Sequence, residues 1–238
     1  MTPLVRLGEV AQVVSGATPK TSVDEYWGGD IQWVTPADIS DLDGPFIEET
    51  PRTLTEAGVR SCATQVLPAG SVLLSSRAPI GLTAINTVPM ATNQGFKSLV
   101  PGPDLDAKYL YHWCRANTRK LQSLGNGATF KEISKKTVEA ISIPLPKLED
   151  QRRIAAILDH ADALRAKRRQ LTSNLSQLKA ATFHEMFGGY AEMRPLGKLA
   201  QVQGGLQVSR KRASLPEIAP YLRVANVFRG HLDLAEVK

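Results

Sequence analysis

Apolar residues follow two different patterns along this chain. Between Leu4 and about Pro146, short runs rich in Val, Ile and Thr alternate with turn residues, as in IQWVTPADI and AISIPLP. Runs of this length bounded by Gly and Pro are typical of short β-strands joined by turns. From Gln151 to Phe187, by contrast, neither Gly nor Pro occurs. The sequence therefore predicts a strand-rich part followed by one long helix.

One helix is also expected inside the strand-rich part. Between residues 106 and 124 one face repeats at helical spacing, formed by Leu110, Trp113, Cys114, Asn117 and Leu121. This spacing predicts a single helix over Asp106–Leu124. Short strands interrupted by one helix indicate a mixed α+β domain, which we expect over residues 1–146.

The long helix carries an apolar stripe with alternating steps of four and three residues. The stripe, interrupted by Arg168, includes Ile157, Leu164, Leu171, Leu175 and Leu178. This heptad pattern predicts a coiled-coil-type α-helix over residues 147–189, a rod of roughly 55 Å at about 1.5 Å per residue. A helix with one apolar stripe is not stable alone in water, so these five residues are expected to pair with a partner.

An internal repeat divides the chain. The segment LGEVAQV that starts at Leu7 returns as LGKLAQV at Leu196, and WVTPADI is echoed by YLRVANV. Two matches at nearly the same offset indicate a repeated unit made of one α+β domain and one long helix. Residues 190–238 are therefore expected to be the start of a second, incomplete domain.

The charge of the chain points to a polyanionic partner. The formal net charge is +6, and basic residues clearly outnumber acidic ones between residues 57 and 137. Acidic residues crowd into positions 24–56, so a folded domain could present one basic face. Charge alone is equally consistent with an ordinary solvated surface.

Membrane contact and disulfides are not expected. No run approaches the roughly 18 apolar residues of a membrane span, and the N-terminus lacks the pattern of an export signal. The two cysteines, Cys62 and Cys114, have no CxxC spacing and are expected to be reduced thiols. A cytoplasmic location is expected.

A search for reactive groups predicts no catalytic and no metal site. The four histidines stand apart from other ligand residues, and Gly125–Thr129 lacks the Lys and the helix that follow a phosphate-binding loop. A catalytic nuclease or methyltransferase would need paired carboxylates or an Asn-Pro-Pro-aromatic motif, and neither is found in this sequence. We therefore expect a chain that is not an enzyme.

Several motifs together resemble a known family. These are LGEVAQVVSGATPK, IQWVTPADI, VLLSSRAPIG, ATNQGFKSL and, most specifically, ISIPLPKLEDQRRIAAILD with the long helix after it. In this order they resemble the specificity (S) subunit of type I restriction-modification systems. The resemblance implies a target-recognition domain that reads one half of a split DNA site. It also implies a long helix that pairs with a second one as an antiparallel coiled coil.

The same resemblance implies partners and a cofactor. Double-stranded DNA, modification (methyltransferase) subunits and a restriction subunit would be the partners, and S-adenosylmethionine would bind to the modification subunit rather than to this chain. Because the second copy of the repeat stops early, the resemblance implies an S subunit truncated after its first domain and helix. Self-association through the long helix is then expected.

Candidate DNA-contacting residues lie in the polar and basic loops. They are Thr18, Lys20, Thr35, Arg77, Asn93, Gln94, Lys97, Thr129 and Lys131. Lys and Arg suit phosphates, and Asn, Gln, Arg and Thr suit base edges. At each loop the alternative is a turn whose polar groups bind its own backbone. Trp27 and Trp33 are expected in the core rather than against bases.

A second function remains open from the sequence. A coiled-coil adaptor that binds only protein would also need the long helix with its apolar stripe, but it would have no DNA specificity. Sequence-dependent binding of duplex DNA would distinguish the two functions.

Overall fold

The structure is a computed structural model that describes residues 2–77, 79–127, 131–189, 194–201, 204, 224–228 and 231–233. Its strands are β1 (Leu4–Arg6), β2 (Ala11–Ser15), β3 (Trp27–Val34), β4 (Phe46–Ile47), β5 (Thr53–Leu54), β6 (Val72–Leu74), β7 (Thr83–Asn86), β8 (Met90–Thr92), β9 (Lys97–Pro101), β10 (Ser142–Pro144), β11 (Val227–Phe228) and β12 (His231–Leu232). Its helices are α1 (Leu7–Val10), α2 (Pro36–Ser40), α3 (Glu56–Arg60), α4 (Ala107–Ala116), α5 (Thr118–Ser123), α6 (Lys135–Glu139), α7 (Leu148–Phe187) and α8 (Leu196–Leu199). The chain divides into two compact units, Met1–Asn174 and Leu175–Lys238.

The first unit is built from three small sheets. A five-stranded sheet has the order β2-β9-β6-β7-β4, a three-stranded sheet has the order β5-β3-β8, and β1 pairs with β10. Neighbouring strands are antiparallel except for the pairs β3–β8 and β4–β7. The predicted α+β class is confirmed.

The central strand of the five-stranded sheet, β6, is buried on both faces. In β6, Val72 and Leu74 join the apolar cluster that contains Leu110 of α4, whereas Leu73 joins the cluster that contains Val34 of β3. This division follows from the alternation of side chains along a strand. A strand covered on both faces needs apolar residues at successive positions, which explains the run VLL.

The helix predicted over Asp106–Leu124 is two helices, so that boundary prediction is wrong. The chain leaves α4 at Asn117, whose φ of −105° and ψ of 17° are not helical, and α5 starts at the next residue. The Asn117 side chain donates from Nδ2 to the Trp113 carbonyl oxygen at 2.8 Å. Asn competes in this way with the helical hydrogen bonds of the backbone. The apolar positions Leu110, Cys114 and Leu121 are buried as the spacing indicated.

The long helix predicted for residues 147–189 is confirmed as α7, Leu148–Phe187. Only two of its residues, Gln151 and Ala155, are buried. The domain boundaries proposed on either side of it stay predictions, and most of the second domain expected at 190–238 lies outside the described residues.

The two copies of the repeat begin with the same local structure. In each copy a four-residue helix, α1 or α8, starts at the Leu of the LGxx motif. The Ala that follows is extended in both, and its N–H donates to the carbonyl oxygen of Leu7 or Leu196. Similar sequences therefore adopt the same local backbone at the start of both copies.

Candidate nucleic-acid interface

Five loop segments of the first unit meet at one place, which we call the loop surface. They are residues 16–20, 35–36, 75–77, 93–96 and 131–132. Backbone hydrogen bonds and side-chain contacts join them directly to one another or through a strand residue beside them. The loops that contain the predicted DNA-contacting residues are thus brought together by the fold.

The first loop approaches the fourth very closely. The Ala17 N–H donates to the Thr92 carbonyl oxygen at 3.0 Å, and the Thr18 hydroxyl donates to Oε1 of Gln94. A Cβ atom on Gly16 would lie 2.0 Å from the Asn93 carbonyl oxygen. Only glycine permits this approach without moving the backbone.

Two tryptophans fix the first loop. Trp33 donates from Nε1 to the Ala17 carbonyl oxygen at 3.2 Å, and Trp27 donates from Nε1 to the Lys20 carbonyl oxygen at 3.3 Å. Their rings meet edge to face at 5.0 Å, and the Arg52 guanidinium lies 3.7 Å from the Trp27 ring centre. The core prediction is confirmed for Trp33, which is buried, while Trp27 is half-buried.

The third and fifth loops are joined through Ser76. Its N–H donates to the Gly95 carbonyl oxygen at 2.7 Å, and its own carbonyl oxygen accepts from the Ile133 N–H at 2.9 Å. Beyond it, Glu132 accepts from Nε of Arg77 at 3.0 Å and from Nζ of Lys97 at 3.1 Å. Partial burial alone would raise the pKa of Glu132, but these two hydrogen bonds and charges outweigh it and lower the pKa below its ordinary value.

The placement of Lys97 does not support direct contact with a phosphate. The residue is only 8% exposed, and its ammonium group is paired with Glu132. It starts β9 opposite Ser15 of β2, and its side chain is largely enclosed there. The sequence shows a basic residue in a polar segment, but it does not reveal the acidic partner 35 residues away.

The other predicted residues fall into two groups. Lys20, Arg77, Gln94 and Lys131 are exposed, whereas Thr18, Thr35 and Asn93 are partly buried. Thr35 donates its hydroxyl to Asp38 at 2.8 Å, and Asn93 Oδ1 accepts from the Gly95 N–H at 2.8 Å. These two contacts are the local turn bonds that were the alternative interpretation of such loops. Thr129 lies outside the described residues.

A contact that the sequence analysis missed anchors the start of α7. The side chain of Gln151 is fully buried. Its Oε1 accepts from the Asp106 N–H at 2.8 Å, and its Nε2 donates to the carbonyl oxygens of Asp104 and Pro146 at 2.8 and 2.9 Å. One side chain therefore satisfies three backbone groups where the helix leaves the domain.

Ion pairs extend this anchor along α4. Asp159 accepts from Lys108 at 2.8 Å and lies 2.7 Å from Nε2 of His112, and Asp162 accepts from Arg115 at 2.7 Å. Burial would raise the pKa of Asp159, but its bonds to Lys108 and His112 lower it below the ordinary value. Arg115 follows His112 by three residues, as Asp162 follows Asp159, and this equal helical spacing is a signal the sequence contains.

These contacts also change the interpretation of the charge. Lys108 and Arg115, two of the basic residues between 57 and 137, are paired with acids of α7, and Lys97 is paired inside the domain. Exposed basic groups of the loop surface are Lys20, Arg77 and Lys131. Part of the basic excess therefore serves the fold rather than an anionic partner.

The apolar stripe of α7 is exposed, unlike the residues of α7 that contact the domain. In the first unit Ile157, Leu164 and Leu171 are more than half exposed. In the second unit Leu175 and Leu178 are also more than half exposed. Their role in pairing stays a prediction.

The described part of the chain offers no constellation for metal binding, since it contains no group of three or more His, Cys, Asp or Glu residues that could hold an ion. Burial raises the pKa of the Cys114 thiol to about 12, so this cysteine is not a poised nucleophile. Among the described helices none is long and apolar enough to cross a membrane.

The chain is similar to known specificity subunits of type I restriction enzymes. Residues 3–175 match the family described as the type I restriction modification DNA specificity domain. The chain is 29% identical over 249 residues to the type I restriction enzyme MjaIX specificity subunit of Methanocaldococcus jannaschii, covering 94% of this chain and 58% of that protein. It is also 29% identical over 165 residues to the EcoR124I/EcoR124II specificity subunit of Escherichia coli, covering 66% and 40%.

Solved structures are also similar to this chain. A chain from work on complex assembly and conformational transition of the type I R-M system matches with a TM-score of 0.60 and 30% identity, covering 75% of this chain and 44% of that one. The HsdS subunit from Thermoanaerobacter tengcongensis matches with a TM-score of 0.57 and 29% identity, covering 79% and 45%. The present chain thus spans about half the length of the relatives it matches.

Proposed function

The chain belongs to the family of type I restriction modification DNA specificity domains, and we propose that its first unit reads one half of a split DNA site for a type I restriction-modification complex. The observation that carries this proposal is the convergence of five polar loops on one surface with Lys20, Arg77, Gln94 and Lys131 exposed. Basic side chains fix a protein on the DNA backbone, and planar polar side chains discriminate bases.

The rigidity of the loop surface supports this role. Its loops are joined by backbone hydrogen bonds and fixed by Trp27 and Trp33, so the exposed side chains stand on a fixed backbone. A site held on a preorganised scaffold discriminates better than one on free loops, because less ordering is needed on binding.

The catalytic chemistry is assigned to other subunits. We propose that modification subunits bind S-adenosylmethionine and methylate adenine, that a restriction subunit joins the complex, and that this chain contributes no catalytic group. The complex would act in the cytoplasm, where its DNA lies.

We further propose that the apolar stripe pairs with the same stripe of a second copy. An antiparallel pair of identical helices is symmetric, so each copy offers the same surface to the other. Such a pair would hold two identical reading units and favour a split site with inverted identical halves. The adaptor function, which also uses the stripe, leaves the polar loop surface without a role.

Binding of duplex DNA tests the proposal. The purified chain, alone and with a modification subunit, is mixed with a pool of random duplexes, and the bound fraction is sequenced. Enrichment of one short base pattern is expected, and modified adenines should lie beside it in the presence of the modification subunit. Binding without any enriched pattern under both conditions would contradict the proposal and favour the adaptor.

A further inference from the structure

The contact between Arg77, Glu132 and Lys97 carries an inference that rests on the proposed function and deepens it. We propose that Arg77 is a specificity-determining residue that reads a guanine, and that Glu132 and the buried Lys97 are positioning residues for its guanidinium group. The sequence suggested Arg77 only as one of several DNA-contacting residues, and Glu132 was not among them.

One edge of the Arg77 guanidinium group is hydrogen-bonded to Glu132. Its Nε donates to Oε2 of Glu132 at 3.0 Å, while Oε1 of the same carboxylate accepts from Lys97 at 3.1 Å. Within the part of the chain that the structure describes, Nη1 and Nη2 of Arg77 make no hydrogen bond. These two groups form a planar fork, which matches the O6 and N7 acceptors of guanine in the major groove.

Glu132, whose carboxylate binds Arg77, is itself fixed by backbone hydrogen bonds. The backbone N–H and carbonyl oxygen of Glu132 both bond to Asn126 at 3.0 Å, and the next N–H, of Ile133, bonds to the Ser76 carbonyl oxygen. Arg77 and Glu132 also face each other as a β-bridge. Both ends of the side-chain contact are therefore fixed by backbone.

Charge distinguishes base reading from phosphate contact. The three side chains carry two positive charges and one negative charge, so Glu132 reduces the attraction of this site for a phosphate. It also fixes the plane of the guanidinium group, and a bidentate contact with a base edge depends on the orientation of that plane. The nearby exposed Lys131 can supply attraction without orientation.

The exposure of the two basic side chains fits this division of roles. The Arg77 side chain is 46% exposed, and that of Lys97 is 10% exposed. The residue assigned to the base is accessible, and the cation assigned to its support is enclosed. An enclosed ammonium group needs its counter-charge, so Lys97 holds the Glu132 carboxylate in place.

A guanine analogue tests the inference. The full chain, with its modification subunit, is first used to select duplexes from a random pool. Each guanine of the enriched duplex is then replaced in turn by 7-deazaguanine, which lacks the N7 acceptor. At one position the wild type should lose roughly tenfold to a hundredfold in affinity, and Arg77→Ala should lose nothing further there.

Matched variants separate charge from orientation. Arg77→Lys keeps the charge and should lose the same discrimination, whereas Arg153→Ala on α7 removes an exposed arginine elsewhere and should retain it. Glu132→Gln should weaken discrimination while binding to unselected DNA stays equal or increases. If Glu132→Gln fails to fold, the double variant Lys97→Met, Glu132→Gln removes the unpaired ammonium and takes its place.

The outcomes separate this inference from the proposed function. If the wild type enriches no sequence, the proposed function fails and Arg77 has nothing to read. If it enriches a sequence that lacks guanine or tolerates 7-deazaguanine everywhere, only the inference fails. Equal weakening of all sequences by Arg77→Ala, with full rescue by Arg77→Lys, would make Arg77 a phosphate contact and overturn the inference.

Discussion

The first turns of α7 have two faces with opposite environments. Gln151, Ala155, Asp159 and Asp162 form one stripe that docks on the domain, largely through polar side chains. The apolar stripe, which starts at Ile157, is exposed. Helices of globular proteins usually bury the apolar face and expose the polar one. The inverted arrangement indicates that polar contacts orient this helix. It also leaves the apolar face free for the pairing that we propose.

The largest expected effect comes from a charge in the apolar stripe. Leu171→Asp would bury an unpaired carboxylate in the helix pair and should cost several kcal/mol of pairing free energy. The melting temperature of the first unit should not change, because Leu171 is exposed there. Light scattering at micromolar concentration measures the assembly.

Ser173→Asp is the matched control for that variant. Ser173 is exposed and lies off the stripe on the same helix, so its substitution should leave assembly intact. A Leu171→Asp chain that assembles like the control would show that the stripe has no pairing role.

The docked face should respond in the opposite way. Gln151→Ala leaves the Asp106 N–H and the carbonyl oxygens of Asp104 and Pro146 without their partner, which should cost about 2–4 kcal/mol of unfolding free energy. Urea unfolding measures this change. Gln170→Ala, the same substitution at an exposed position of α7, should change stability by less than about 0.5 kcal/mol. Equal changes in unfolding free energy for the two variants would contradict the assignment of Gln151 as the anchor of α7.

Lowering the pH should weaken the contacts that Asp159 makes on the docked face of α7. The lowered pKa of Asp159 means that its contribution to stability is present above the ordinary pKa of Asp, about 4, and is lost as the pH falls through the folded value. Wild type should therefore be more stable than Asp159→Asn by about 1–2 kcal/mol at neutral pH. Denaturant unfolding at several pH values should show this difference shrink below about pH 4. A difference that is independent of pH would contradict the assignment.

The smallest expected effect concerns the loop surface. Lys131→Ala should reduce the slope of log affinity against log salt by about 0.9, the value for one lost phosphate contact, for every DNA sequence alike. Fluorescence anisotropy of a labelled duplex at several salt concentrations gives the slope. Lys179→Ala on α7 should leave it unchanged, and an equal change in both variants would disprove a specific role for Lys131.

Sequence patterns anticipated the parts of the structure that depend on neighbouring residues. The absence of Gly and Pro from Gln151 to Phe187 and the apolar stripe predict α7, and polar composition alone identifies the loops as candidate DNA contacts. The break at Asn117 was missed because Asn keeps the helical spacing of its neighbours while its side chain bonds to the backbone. Burial of Lys97 depends on a partner 35 residues away, which periodicity cannot reveal.

The contrast between the loop surface and α7 can be tested most directly by lysine labelling. The chain is treated with an amine-reactive reagent with and without the duplex that it selects, and the modified lysines are identified by mass spectrometry. DNA should protect Lys20 and Lys131 of the loop surface and leave the exposed Lys167 and Lys179 of α7 as reactive as before. Protection of the α7 lysines with Lys20 and Lys131 unprotected would contradict the assignment of DNA to the loop surface.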